Sequence, residues 1–157
     1  MPMATGNRSE LATGYCTLYG DMCGGLAPIG DVPKMMVYEL AHYINQQGCI
    51  IPQEIIDKAP SAELAPHQID QDSLPPYSAL DAVLAGFLQE KKSAQLLAQE
   101  LGNGETVDFV VKKILRSEFK RKQAPYVLKI FPTSFGTGWR MPVVHGFQLN
   151  HNSLGKK

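Results

Sequence analysis

The stretch from Thr5 to Lys34 combines many glycines with charged side chains, and these residue types could bind a nucleotide. Glycine backbones can take positive φ angles and approach a ligand closely. Asp21 and Lys34 lie beside the glycines at positions 14, 20, 24, 25 and 30. Lysine supplies a positive point charge for phosphate, and a carboxylate can bind a metal or transfer a proton. The residue types therefore favour a nucleotide site.

The spacing of this stretch is less specific than its composition. It matches neither the P-loop pattern nor the dinucleotide-binding fingerprint. A glycine-rich surface loop between two helices therefore stays open as the structural alternative.

Two later segments also contain residue types that suit a site. Residues 58–81, KAPSAELAPHQIDQDSLPPYSALD, form a long polar connection that prolines interrupt, and such connections usually act as lids or are disordered. Residues 118–125, EFKRKQAP, cluster cations around the end of a predicted helix, where cations also stabilise the helix C-terminus in solvent. Taken alone, both segments are better explained by structure than by function.

Composition limits the class of protein. The 157 residues are 44% hydrophobic, with 15 basic and 15 acidic side chains, so one domain is expected and no overall charge favours nucleic acid or an anionic membrane as partner. Cys16, Cys23 and Cys49 are odd in number and lack zinc-site spacing, which fits a reducing cytoplasm. The sequence shows neither a signal-like N-terminus nor an apolar run of membrane-spanning length. We expect a soluble, cytoplasmic protein.

The elements that must position these residues are mostly helices. Asn7 predicts the start of a helix over SELATGYCTL with Glu10 in its first turn, and Pro33 predicts the start of another that ends near Gly48. Apolar side chains at helical spacing predict three helix faces: Val37, Leu40, Ala41 and Ile44; Leu80, Val83, Leu84, Phe87 and Leu88; and Val107, Val110, Val111 and Ile114. SAQLLAQELG predicts a further short helix, and the tail QAPYVLKIFPTSFGTGWRMPVVHGF predicts an ordered but irregular wrap.

The opening residues MPMATGN predict the end of a strand that runs through a glycine turn into a helix. This arrangement places ligands at the carboxyl edge of a parallel sheet. Few other strands follow in the sequence. Either the opening is a simple loop, or the rest of the sheet belongs to sequence outside this chain.

Three long motifs, in their order and spacing, resemble the C-terminal half of bacterial NAD synthetases, most closely the glutamine-dependent type. They are TGNRSELATGYCTLYGDMCGGLAPIGDVPK, IIDKAPSAELAPHQIDQDSLPPYSALD and EFKRKQAP, and the tail LKIFPTSFGTGWRMPV also resembles the end of those enzymes. The resemblance covers nearly the whole chain, and it implies that residues 1–157 are the C-terminal portion of an NAD synthetase domain.

The resemblance implies a fold, a reaction and partners. The family belongs to the ATP pyrophosphatases, so we expect an α/β fold in which this chain is the mostly helical C-terminal part of an adenine-nucleotide-hydrolase-like, doubly wound parallel-sheet domain. Such enzymes adenylate the nicotinate carboxylate of deamido-NAD with ATP and magnesium and release pyrophosphate, and ammonia then displaces AMP to give NAD. An amidase domain supplies the ammonia from glutamine, and the enzymes are typically homodimers.

The resemblance also assigns ATP-binding residues. Thr5 would hold ATP, Lys34 would contact its phosphates, and Ser61 would stand where relatives often have an ATP-binding threonine. Attack of a carboxylate on the α-phosphate builds charge on phosphoryl oxygens, and a preorganised lysine can stabilise that charge.

The deamido-NAD residues follow from the same resemblance. Glu10 would contact magnesium or deamido-NAD, and Lys120, with Phe119 beside it, would reach deamido-NAD. Ammonia must attack unprotonated, and Asp21 is our candidate for the base that removes a proton from ammonium. The alternative for Asp21 is a turn aspartate after Gly20 that accepts hydrogen bonds from its own backbone.

The sequence departs from the family at several points. Ammonia-dependent relatives usually carry lysine where this chain has Leu18 and aspartate where it has Gly25, so the substrate contacts made there do not carry over. The pyrophosphate-binding SGGxDS-type loop, the first strands and the amidase domain do not occur in these residues. We therefore expect a C-terminal fragment of a synthetase that is inactive alone.

Two other functions stay open. Another amidating ATP pyrophosphatase, such as one that makes GMP, would share the chemistry but should lack TLYGDM and EFKRKQAP. A helical module without catalysis would use these surfaces only for association.

Overall fold

The computed structural model of the chain describes residues 1–62 and 65–146. Glu63 and Leu64 of the PSAEL motif, Phe147 of the tail, and the remaining residues of the predicted 1–157 domain lie outside this description.

Helices are the main regular secondary structure of the described residues, as predicted. The helices are α1 (Arg8–Thr13), α2 (Lys34–Asn45), α3 (Gln53–Asp57), α4 (Tyr77–Leu84), α5 (Ala94–Leu101), α6 (Gly104–Arg116) and α7 (Glu118–Arg121). A 3₁₀ turn (Asp70–Asp72) precedes α4, and a π-helical turn (Ala85–Gln89) continues it. Within the described residues, none of these helices has the length and apolar character needed to cross a membrane.

The main core lies where α4, α5 and α6 meet. The predicted apolar stripe of α6 is confirmed, because its members are fully buried: Val107, Val110, Val111 and Ile114. The predicted stripe of α4 and its π-helical turn packs into the same core through Leu80, Val83, Leu84 and Leu88. Burial of each such side chain contributes roughly 1.5–3 kcal/mol relative to its exposure. This core is therefore the main support for the shorter elements at the site.

A small parallel sheet holds the start of the chain. Strand β1 (Leu26–Ala27) pairs in parallel with β2 (Tyr126–Val127), and Met3 forms a parallel bridge to Leu26. The Ala4 N–H donates to the Leu26 carbonyl at 2.8 Å, and the chain then turns into α1. The opening residues thus make a single bridge to β1 and then lead into a helix, as predicted, although they form no strand of their own.

Gly24 allows β1 to approach the opening residues. Its φ is 155°, and a Cβ at this position would lie 2.8 Å from the backbone nitrogen of Ala4. The sequence suggests that these glycines let a ligand approach the backbone closely. At Gly24 the segment that approaches is instead another part of the protein.

The described residues cover only part of the predicted apolar face of α2, in which Val37 and Ala41 are half-buried. Leu40 and Ile44 on this face are exposed, Tyr43 beside them is 62% exposed, and α2 contains no buried residue. Helices of α/β domains normally bury one apolar stripe against another layer. The face of α2 is thus suited to contact a further layer of protein.

Two helix ends differ from the prediction. α1 ends at Gly14, which takes the left-handed conformation at φ 68°, and does not continue to Leu18. The helix predicted to run through EFKR is interrupted at Ser117, whose φ and ψ are −97° and 6°. Ser117 Oγ–H donates to the Thr13 carbonyl at 3.0 Å and so ties this point of the chain to the end of α1, while the Ser117 N–H still donates to the Lys113 carbonyl at 3.1 Å.

A buried ion pair fixes the irregular tail. Arg8 Nη1 lies 3.1 Å from Asp31 Oδ1, and both side chains are almost fully buried. Asp31 Oδ2 accepts from the backbone N–H groups of Ile130 at 2.7 Å and Phe131 at 2.8 Å. Arg8 Nη2 donates to the Thr133 carbonyl at 3.0 Å. The tail is therefore held against the start of α1.

Candidate active site

The N-terminus of α1 holds Glu10 in place. Asn7 Oδ1 accepts from the N–H groups of Ser9 at 2.9 Å and Glu10 at 3.1 Å. Glu10 Oε2 in turn accepts from the Asn7 N–H at 3.0 Å, which completes a capping box. The predicted cap at Asn7 is confirmed. One carboxylate oxygen of Glu10 serves its own helix, and the other oxygen, Oε1, points to a different partner.

That partner is Lys34, at the start of α2. Lys34 Nζ lies 3.2 Å from Glu10 Oε1, and the two side chains are 17% and 18% exposed. The same ammonium lies 5.3 Å from the ring centre of Tyr77 and 6.0 Å from that of Tyr38. Aromatic faces attract a cation most strongly when it is partly removed from water. The structure thus brings together two predicted site residues from different helices.

Lys34 and Ser61, both predicted to bind ATP, line one cleft of about 390 Å³. Its other walls come from α2, from the connection between α2 and α3, from α3 and from the segment between α3 and Ser61: Val37, Tyr38, Ala41, Ile51, Ile55, Ile56, Lys58, Ala59 and Pro60. Small-molecule sites combine mostly apolar walls with a few polar groups that orient the ligand. We name this space the Lys34 cleft.

Asp21 and Lys120 line a second cleft of about 320 Å³, which we name the Lys120 cleft. Its remaining walls are Gly14, Tyr15, Cys16, Thr17, Ala62, Gln68 and Ser73. Burial raises the pKa of the Cys16 thiol to about 11, although the charge of Lys120 acts in the opposite direction. The thiol therefore stays protonated at neutral pH and is a poor nucleophile.

The polar connection before α4 joins the two clefts, since Ser61 lines one and Gln68 the other. Ser61 Oγ–H donates to the Gln68 carbonyl, and Gln68 Nε2 donates to the Tyr15 hydroxyl at 3.3 Å. The Asp70 N–H donates to the Pro60 carbonyl at 2.9 Å. The described residues of this connection thus lie beside both clefts.

Lys120 and its neighbours bind the C-terminal end of α1. Lys120 Nζ donates to the carbonyls of Gly14 and Cys16, each at 2.7 Å, and Arg121 Nη1 donates to the carbonyls of Leu11 and Ala12. The cations of EFKR therefore stabilise a helix C-terminus, although of α1 and not of their own helix. Because an ammonium has three donors, Lys120 can use two for the protein and one for a ligand.

Asp21 is exposed and accepts two hydrogen bonds on one oxygen. The backbone N–H and the hydroxyl of Thr17 both donate to Asp21 Oδ1 at 2.5 Å. This geometry matches the turn-aspartate alternative. A carboxylate that lines a cleft can hold a turn and still accept a proton from a ligand, so the geometry is compatible with both roles.

Thr5 and Phe119 lie at the borders of these elements. Thr5 is exposed and follows Ala4, which pairs with β1, and it precedes the cap of α1. Phe119, in α7 beside Lys120, is 42% exposed. Neither residue lines the Lys34 cleft or the Lys120 cleft.

Sequence reasoning missed Ser9 and Asp81, which support the start of α2. Ser9 Oγ–H donates to Asp81 Oδ1 at 2.5 Å, and Asp81 Oδ2 accepts from the Met35 N–H at 2.9 Å. Burial raises the pKa of the Asp81 carboxyl above its usual value, while these two hydrogen bonds act in the opposite direction. A carboxylate within an otherwise apolar stripe is unusual, and this exception is the signal that could have identified Asp81.

Glu10 supplies one carboxylate, which is part of the set of oxygen ligands that magnesium requires. Mg²⁺ usually binds through one or two carboxylates together with substrate phosphates and water. In the described part of the chain, no group of three or more His, Cys, Asp or Glu could hold a metal ion. A partly exposed Glu10 beside Lys34 therefore fits an ion that arrives with phosphates, and not a metal site made of protein alone.

The sequence of the chain is similar to a known protein family and to individual proteins of known name. The sequence model of the NAD synthase family matches residues 1–124. Glutamine-dependent NAD(+) synthetases of Synechocystis sp. and Aquifex aeolicus are 49% and 46% identical over 145 residues, which are 92% of this chain and 26% of each relative. The chain thus spans about a quarter of the length of these relatives.

A solved structure supports the fold. The crystal structure of a glutamine-dependent NAD(+) synthetase from Cytophaga hutchinsonii matches 92% of this chain and 24% of that chain, with a TM-score of 0.66 and 23% identity. The family match over residues 1–124 shows that the chain belongs to the NAD synthase family.

Proposed function

We propose that this chain forms part of the synthetase site of a glutamine-dependent NAD(+) synthase. The reaction is the ATP-dependent amidation of deamido-NAD to NAD through an adenylated intermediate, with release of AMP and pyrophosphate. Family membership supports NAD synthesis over the amidation of another nucleotide, the alternative enzyme activity that the sequence leaves open.

The observation that carries the proposal is the contact between Lys34 and Glu10 beside the Lys34 cleft. Attack on the α-phosphate of ATP increases negative charge on phosphoryl oxygens, and a partly desolvated ammonium stabilises such charge. Lys34 would exchange Glu10 for a phosphate, with Thr5 and Ser61 as further ATP ligands. Bound magnesium would supply additional positive charge to the phosphates, with Glu10 as its protein ligand.

The Lys120 cleft would hold deamido-NAD. Lys120 and Phe119 would bind the dinucleotide, and Asp21 in the same cleft would accept a proton from ammonium. Ser61 lines the Lys34 cleft and Gln68 the Lys120 cleft, so the two clefts are neighbours, and transfer of AMP to a carboxylate requires the two ligands to meet where these clefts approach each other. Positioning of two substrates at one point is a large part of catalysis in such reactions.

Partners follow from the same proposal. Ammonia would come from glutamine through an amidase domain, in the cytoplasm, with small nucleotides and not nucleic acid or membrane as the ligands. The exposed face of α2 supports a homodimer, because exposed apolar patches of this kind mark protein interfaces.

The test uses a hybrid enzyme in which this chain replaces the segment that it matches in the Synechocystis sp. synthetase. The folded hybrid is incubated with ATP, magnesium, deamido-NAD and glutamine or ammonium, and NAD is measured by mass spectrometry. We expect NAD from the hybrid and a large loss in Glu10→Gln, whereas the exposed-residue control Glu39→Gln should keep its activity. A well-folded hybrid without activity, beside an active Synechocystis enzyme, would contradict the proposal and favour an association module.

A further inference from the structure

The first turn of α2 is held by residues that are distant in sequence. Pro33 is the N-cap residue and makes no side-chain hydrogen bond to the helix. The Lys34 N–H donates to Ser9 Oγ at 2.9 Å, and the Met35 N–H donates to Asp81 Oδ2 at 2.9 Å. The N–H groups that begin a helix need acceptors from outside the helix. Here α1 and α4 provide them.

The same contacts join three helices at one point. Ser9 is fully buried; its hydroxyl donates to Asp81 Oδ1 at 2.5 Å and accepts from the Lys34 N–H. Asp81 therefore binds α1 through one carboxylate oxygen and α2 through the other. Its negative charge also lies at the positive end of α2, where it is favourable.

We infer that Asp81 is a positioning residue that fixes Lys34 relative to Glu10, and so prepares the ATP site. Two facts carry the inference. Asp81 bonds to the amide of Met35, next to Lys34 in the first turn of α2. Asp81 also accepts a hydrogen bond from Ser9, which is the residue before Glu10 in α1. The inference rests on the proposed function for its consequence in catalysis.

The geometry explains why one carboxylate can control this contact. Lys34 Nζ and Glu10 Oε1 lie 3.2 Å apart. The first turns of the helices that carry them, α2 and α1, are both hydrogen-bonded to Asp81. If α2 moved relative to α1, the ammonium would leave the position at which it meets a phosphate. An error of about 1 Å in such a position can cost about 100-fold in rate.

Asp81→Asn tests the inference in the hybrid enzyme. Asparagine has nearly the same shape but only one acceptor oxygen, so it can accept from Ser9 Oγ–H or from Met35 N–H but not from both, and it removes the charge at the start of α2. We expect the KM for ATP to rise by about 10- to 100-fold, with a much smaller change in the KM for deamido-NAD. Asp81→Glu keeps the charge and both acceptors, so we expect it to retain more ATP affinity than Asp81→Asn. Glu39→Gln, which removes an exposed carboxylate from α2, is the matched control.

Hydrogen exchange on the chain itself provides a second readout that does not need activity. In Asp81→Asn the amides of Lys34 and Met35 should exchange faster, while the amide of Val110 in the core should not change. If Asp81→Asn does not fold, Ser9→Ala removes the same bridge from the α1 side and is measured in the same way.

The outcomes separate this inference from the proposed function. An ATP KM in Asp81→Asn equal to that of Glu39→Gln overturns the inference while the active hybrid upholds the function. An inactive unsubstituted hybrid contradicts the function, and the exchange rates then decide the inference. Faster exchange at Lys34 and Met35 supports the positioning role, and unchanged exchange overturns it.

Discussion

Substitution of the two lysines in turn should separate the two ligands. Lys34 lies in one cleft and Lys120 in the other. If these clefts bind ATP and deamido-NAD, Lys34→Ala should chiefly raise the KM for ATP, and Lys120→Ala should chiefly raise the KM for deamido-NAD. Lys112→Ala, which removes an exposed lysine from α6, is the matched control.

The expected magnitude follows from the environment of each ammonium. Loss of a charge-assisted hydrogen bond costs about 1.5–3 kcal/mol. Since about 1.4 kcal/mol corresponds to a tenfold change, each KM should rise by about 10- to 150-fold. Lys34 reaches the upper part of this range more readily, because its side chain is only 17% exposed.

Lys120→Ala should also affect stability. Its ammonium donates to the carbonyls of Gly14 and Cys16, each at 2.7 Å, and removal leaves both at the end of α1 without this donor. We expect the free energy of unfolding to fall by about 1–3 kcal/mol. Lys34 makes one ion pair at the start of α2, so Lys34→Ala should destabilise the chain less.

Steady-state kinetics of the hybrid enzyme, with each substrate varied at saturating levels of the other, measures both KM values. Urea unfolding followed by circular dichroism measures stability on the same variants. Small and equal effects of both substitutions on both substrates, similar to Lys112→Ala, would refute the assignment of ligands to the two clefts.

Three further predictions concern the glycine run, the buried cysteine and the face of α2. Gly14→Ala should lower the free energy of unfolding more than Gly102→Ala. Both glycines have φ above 60°, but only at Gly14 would the new Cβ meet another residue, 2.7 Å from Ser117 Cβ. Equal losses of free energy in urea unfolding would contradict this. At pH 8 iodoacetamide should modify Cys16, with its pKa of about 11, far more slowly than the exposed cysteines, as peptide mass spectrometry can measure; equal rates would show an accessible thiolate. Sedimentation at micromolar concentration should show association of the chain and its loss in Tyr43→Glu; a monomer before substitution would argue against the dimer.

Local patterns predicted the parts of the fold that depend on neighbours in sequence. The stripe of α6 follows from helical spacing of Val107, Val110, Val111 and Ile114, which are fully buried. The cap at Asn7 follows from the preference of its side chain for the first helical N–H groups. Such features need no knowledge of the rest of the chain.

The parts that sequence reasoning missed depend on contacts between distant residues. α6 ends at Arg116, and the hydroxyl of Ser117, which follows it, donates to the carbonyl of Thr13, a residue more than 100 positions away. Lys120 meets carbonyls at the end of α1 across a similar separation. No local pattern contains such pairs, so the helix break and the occupied donors of Lys120 could not be predicted.

The candidate site shows the same division. Resemblance to a family predicts a ligand-binding role for Glu10 and for Lys34 separately, but their contact depends on the relative placement of α1 and α2. Asp81 controls that placement and matches none of the motifs. The glycine run alone leaves a nucleotide site and a surface loop open, and at Gly24 the close approach is to the protein's own backbone.

The most direct measurement is a crystal structure of the hybrid enzyme with a non-hydrolysable ATP analogue. Our account predicts the nucleotide in the Lys34 cleft, with Lys34 Nζ about 3 Å from a phosphate oxygen and Ser61 in contact with the nucleotide. An analogue bound elsewhere, with Lys34 still paired only to Glu10, would contradict it.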